Sequence, residues 1–268
     1  MTKRLVDRVV MAHGKTMSYH ADFLSCLAFW SRFPVGTTEP LPEFRTAVRA
    51  LPAAALAIAA PATLALALGL ACGLSPLVAA LLALSVLAAT TGALHEDGLA
   101  DCADALSAST PERRLDIMKD SRNGTFGTLT LIFSVALRAA ALAALVQAST
   151  LLACLALLAG AAVSRVACLA PLALLPPARE AGAGRAAGAP DSNALRVAIV
   201  GAILCAALPL IAGASAGITV LAAIVAAAVA FLAASQARQK LGGQTGDVAG
   251  AAQQLAEIGY LLVLSAAA

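Results

Sequence analysis

Apolar residues in this chain come in long unbroken runs, not at the intervals of an amphipathic helix or strand. Seven runs reach or approach the roughly 20 residues that a helix needs to cross a bilayer. They lie at 51–72, 76–94, 127–147, 151–176, 195–212, 216–235 and 248–267. The last carries Gln253, Gln254 and Glu257, so it is expected to face other helices and not lipid. Residues 21–36 are too short to span. Phe23, Leu27, Trp30 and Phe33 fall near helical spacing there, which predicts a helix lying at the interface. Trp30 and Tyr260 are expected to act as interface anchors. The pattern therefore predicts an all-α, polytopic membrane bundle of about seven transmembrane helices plus an N-terminal interfacial helix. Residues 1–20 show no pattern and read as an extension. Residues 21–268 read as one membrane-embedded domain.

The polar positions between the runs alternate in character. Linkers 73–75, 148–150 and 213–215 are short and uncharged, whereas 95–126, 177–194 and 236–247 are longer and hold the charges. The N-terminal region and the flanks of the charged linkers carry 16 of the 18 Lys and Arg. By the positive-inside rule the N-terminus and every charged loop lie in the cytoplasm, at the bacterial inner membrane. Arg138 and Arg165 are the two left inside apolar runs. Each must pair with an acid such as Glu257 or reach a substrate phosphate.

Composition agrees. The chain is 60% apolar and 12% charged, against about 45–50% and about 25% in soluble domains, so lipid is the solvent that fits. A net charge of +3 is too small to suggest nucleic acid. The six cysteines are scattered without a CxxC pair and read as packing residues, not a disulfide frame or zinc site. A homo-oligomer is compatible with this pattern but is not specified by it.

The chemistry concentrates in HEDGLADCADAL, residues 95–106. Seven of the 15 acids lie in 96–120. Asp97, Asp101 and Asp104 are offset by 0, +4 and +7, which places them on one face of a helix. Three stacked carboxylates repel unless a cation sits among them, and a hard divalent ion suits oxygen ligands. DGxxDxxD alone is equally consistent with a solvated acidic loop. The strip that follows, KDSRNGTFG at 119–127, shifts the balance. Lys119 and Arg122 can pair with phosphate oxygens. Gly124 and Gly127 permit close approach at a helix start, which favours anions. Acid for metal, base for phosphate and glycine for access resemble a phosphoryl-transfer site. A second glycine strip, LGGQTGDVAGAAQQ at 241–254, adds Gly246 as a phosphate-contact candidate. It also adds Asp247 as a metal ligand, a base, or simply a helix cap. His95 is a candidate base or phosphate donor, or a packing histidine.

Together these strips, with FWSRFPVG at the N-terminus, resemble the cobalamin synthase (adenosylcobinamide-GDP ribazoletransferase) family, in the family's order over residues 23–257. The resemblance implies Mg²⁺ as cofactor, with adenosylcobinamide-GDP and α-ribazole (or its 5′-phosphate) as substrates. GMP would leave as adenosylcobalamin or its 5′-phosphate forms. Under it Asp97, Asp101 and Asp104 would hold Mg²⁺, Lys119 and Arg122 would neutralise the leaving GMP, and Asp120 or Asp247 would orient the attacking hydroxyl. A CDP-alcohol phosphotransferase also uses a DGxx aspartate motif, but Asp101 and Cys102 stand where its Arg is required. A transporter would place its acids at the bilayer midplane, not in a loop.

Overall fold

The computed structural model describes residues 18–35, 44–120, 122–180 and 187–267. Most of the expected extension, and part of the Gly/Pro-rich stretch after residue 180, fall outside these residues. Among the described residues there are twelve α-helices: α1 (Tyr19–Trp30), α2 (Phe44–Ala47), α3 (Leu51–Ala71), α4 (Pro76–Thr91), α5 (Leu94–Ala105), α6 (Pro111–Ile117), α7 (Thr125–Ala148), α8 (Thr150–Ala167), α9 (Leu169–Leu174), α10 (Ser192–Ala206), α11 (Ala216–Leu241) and α12 (Gly246–Ser265). Among the described residues the only β pairing is an isolated bridge between Pro177 and Gln244.

Among the described residues six helical stretches are long and apolar enough to cross a membrane: Phe44–Ala71, Thr125–Ala148, Thr150–Leu174, Ser192–Ala212, Ala216–Leu241 and Gly246–Ser265. They match six of the seven apolar runs. The seventh run ends earlier than its composition suggests. Gly92 and Ala93 both adopt left-handed backbone (φ 65° and 55°), and α5 leaves the axis of α4 at 93°. At 1.5 Å per residue, the 16 residues of α4 extend roughly 24 Å, short of the roughly 30 Å hydrocarbon core, and α5 lies across its end, outside the six spans. The linker expected at 95–126 thus begins with the helix that the aspartate spacing predicts.

Chain contacts fix which ends meet. The amide of Asp191 donates to the carbonyl of Arg45 at 2.9 Å and that of Ala178 to Gln244 at 2.9 Å. The guanidinium of Arg114 donates to the carbonyl of Lys240 at 3.2 Å. The starts of α3, α10 and α12 and the ends of α9 and α11 therefore gather at one end, with the charged linkers. The uncharged turns lie opposite. There Ser149 and Ser215 accept the amides of Leu152 and Ile218 and satisfy two orphan donors of the helix starts.

The bundle is packed by small residues. Ala54, Ala59, Ala80, Ala156 and Ala226 are fully buried, whereas Phe133, Ile203, Leu204, Ile211 and Phe231 are exposed. Lipid tails are as apolar as leucine, so large side chains gain nothing by turning inward, while alanine lets backbones approach. Two aromatic residues depart from the expected anchoring role. Trp30 is buried and stacks with Phe29 and Phe44. Tyr260 is buried and donates its hydroxyl proton to the carbonyl of Ala206 at 3.1 Å. In a bundle with so few large residues, these rings fill core space that alanines leave.

Candidate active site at the charged end of the bundle

The acidic motif sits on α5, wedged against the start of α12 and the start of α7. Gly98 makes the first contact close: a Cβ there would stand 2.7 Å from the carbonyl oxygen of Asp247. Gly250, one turn on in α12, packs on the backbone of His95. The carboxylates of Asp97, Asp101 and Asp247 are thereby brought into mutual range. Asp97 is exposed, and Asp101 and Asp247 are half-buried. Burial, then the neighbouring charges of Asp97 and Asp247, push the Asp101 carboxyl up to about 7, against the pull of Arg179. Arg179 reaches Asp247 at 3.4 Å and donates to the carbonyl of Leu115 at 3.1 Å. Its Nε is buried and finds no acceptor among the described residues.

Asp104 does something different. It stays on the predicted face, but its Oδ2 accepts the amide of Gly124 at 2.7 Å and its Oδ1 that of Gly127 at 2.8 Å. The carboxylate caps the N-terminus of α7 from another helix, where the dipole and free amides favour an anion. The α7 start, a candidate phosphate cradle, holds this protein carboxylate. Gly124 and Gly127 are required there because a Cβ at either would run into Asp104.

Lys119, Asp120 and Arg122 stand apart, exposed and paired locally. Lys119 bonds Asp116 at 3.2 Å. Arg122 grips Asp120 through Nη2 at 2.7 Å and Nε at 3.0 Å, which holds the Asp120 carboxyl down to about 2. Gly246 is the first residue of α12, whose N-cap Thr245 accepts the amide of Val248 at 3.2 Å.

Beneath the aspartates, α5, α7, α8 and α12 share a buried polar layer. Arg138 reaches Glu96 at 3.3 Å and Glu257 at 3.7 Å. Gln253 donates to Glu257 at 2.6 Å and to Ser164 at 2.8 Å, and Gln254 donates to Glu96 at 3.1 Å. Arg165 is also buried, but its Nη1 donates to the carbonyl of Ala161 at 3.2 Å and it forms no ion pair among the described residues. Arg138 therefore has Glu257, the partner expected for either arginine. Arg165 stays inside this layer, beside His95, which is buried with Nε2 unpartnered among the described residues. Glu96 and Arg179 are parts of this corner that spacing did not single out.

Among the described residues no three His, Cys, Asp or Glu side chains already form a metal-holding cluster. The donor chemistry nevertheless fits a hard divalent cation. Asp97, Asp101 and Asp247 offer oxygens at a solvent-reachable corner, and their repulsion is what a cation relieves. Asp104 fits less well, since both its oxygens are engaged.

The model of a family described as cobalamin-5-phosphate synthase matches residues 22–265. An adenosylcobinamide-GDP ribazoletransferase of Azorhizobium caulinodans is 42% identical over 94% of this chain and 97% of that protein. One of Rhizobium etli is 43% identical over 94% of this chain and 99% of that protein. No solved structure matches this chain.

Proposed function

The chain belongs to the cobalamin-5-phosphate synthase family, and on that premise we propose that it joins adenosylcobinamide-GDP to α-ribazole or its 5′-phosphate with release of GMP. The observation that carries this reading is the meeting of three separated strips. Asp97 and Asp101 of α5, Asp247 of α12 and the α7 start held by Asp104 converge at one corner of the bundle.

The reaction exchanges a phosphoanhydride bond for a phosphoester. The 3′-hydroxyl oxygen of α-ribazole bonds to the cobinamide-linked phosphorus. The bond from that phosphorus to the bridging oxygen breaks, and GMP leaves with that oxygen. The hydroxyl proton passes to a carboxylate of the cluster as the new ester bond forms. Asp97, Asp101 and Asp247 would hold Mg²⁺, which supplies charge neutralisation at the pyrophosphate. Arg179, with a buried donor to spare, is placed to meet a phosphate oxygen beside them. Lys119 and Arg122, exposed at the mouth, would draw the guanylate in and steady it as it departs. His95, Arg165 and the layer below position α5 against α12. The rate gain in such a site comes from placement and electrostatics.

The charged end would face the cytoplasm across the inner membrane, where nucleotide substrates are found. Detergent-solubilised protein given adenosylcobinamide-GDP, α-ribazole and Mg²⁺ should release GMP in step with product. No release with any divalent metal would overturn the reading.

A further inference from the structure

A cavity of about 440 Å³ lies on the other side of α5, enclosed by α5, α6, α11 and α12. Sites of about 300–1,000 Å³ hold small organic ligands. Leu99 and Leu106 contribute from α5, about half a turn round that helix from Asp97, Asp101 and Asp104. The body of α5 thus separates the cavity from the aspartate face. Its walls are apolar, with Ala237 and Val248 buried in them. Its lips are Leu106, Leu232 and Leu255, which are 56%, 59% and 36% exposed. Leu232 and Leu255 lie on spanning helices, so this opening faces lipid sideways and not the aqueous end.

Polar groups stand at the end nearest the charged linkers. Arg114 and Lys240 line the cavity there. Arg114 uses Nη1 on the carbonyl of Lys240, while its Nε is buried without an acceptor among the described residues. A long apolar slot open to the hydrocarbon, with two cations at headgroup depth, has the charge and polarity order of an anionic phospholipid. We propose that this cavity is a binding site for one anionic phospholipid, an acyl chain entering between α11 and α12 and the phosphate meeting Arg114 and Lys240.

The test is lipid retention by the intact purified protein, measured by native mass spectrometry after delipidation and exposure to phosphatidylglycerol or phosphatidylcholine of the same acyl chains. Phosphatidylglycerol should be retained at least about fivefold better, the worth of one interfacial cation toward an anionic lipid. Arg114→Gln should remove that preference, and Ala233→Leu, which fills the slot, should reduce retention of both lipids. Arg114→Gln decides the matter alone if Ala233→Leu does not fold. Equal retention of the two lipids by the unaltered protein, retention unchanged in Arg114→Gln, or displacement of the lipid by α-ribazole would each overturn the proposal. GMP release is not the readout, so the outcome stands apart from the catalytic reading.

Discussion

Gly98 and Asp247 touch backbone to backbone: a Cβ on Gly98 would come within 2.9 Å of the Asp247 Cα. This contact spans almost 150 residues of chain and sets the spacing between the α5 carboxylates and the one at the start of α12. Gly98→Ala should push the helices apart by a fraction of an ångström or more. Misplacement on that scale costs about 10²-fold in rate. GMP release should fall by that order, and the thermal unfolding midpoint should drop as well, because the clash is with backbone and overpacking costs about 1–3 kcal/mol. Wild-type turnover in this variant would show that the spacing is immaterial.

Asp101 feels the charges of Asp97, Asp247 and Asp104. Asp101→Asn removes a metal oxygen and a proton acceptor together. Turnover at saturating Mg²⁺ should fall by about 10²-fold or more. Activity within a few-fold of the unaltered protein would remove Asp101 from the metal and from proton transfer alike.

Asp104 separates a capping role from a ligand role. Asp104→Asn turns one of its two acceptor oxygens into a donor facing an amide N–H. Stability should fall by about 1–2 kcal/mol, as for loss of a helix cap, measured by chemical or thermal unfolding in detergent. The Mg²⁺ concentration for half-maximal turnover should hardly move. A large rise in that concentration with unchanged stability would return Asp104 to the metal.

The buried layer should behave as a balanced charge set. Glu257→Ala leaves Arg138 with Glu96 alone in a dry interior. It should destabilise the bundle by about 3–5 kcal/mol. Adding Arg138→Met to it should recover part of the loss, since the uncompensated cation is then gone. Strictly additive losses in the double variant would mean that the two residues do not act as a pair.

Much of this architecture is legible in the chain itself. Unbroken apolar runs reveal the spans, and the amides and acid at 253, 254 and 257 mark α12 as the helix turned inward. Asp97, Asp101 and Asp104 do share one face. Helical spacing, however, says which side chains stand together and nothing about what stands opposite them. It could not show that Asp104 caps a helix starting some 20 residues later, because a cap supplied from another helix has no local pattern. Nor could it choose between Arg138 and Arg165 for Glu257, since both lie deep within apolar runs and only the rotation of α7 and α8 decides. The break after Thr91 was hidden for a related reason. Ala93 in left-handed backbone carries no compositional sign, glycine being the usual occupant.

The right angle between α4 and α5 has a consequence for where chemistry happens relative to the lipid. A loop would let the aspartates drift in height above the hydrocarbon. The Gly92–Ala93 corner instead ties them to a rod anchored in the bilayer, so the length of α4 is a depth gauge. One residue added to that rod would lift the carboxylates by about 1.5 Å and swing them by about 100°. The height of the carboxylates above the apolar spans is thus set by a single dimension of the protein.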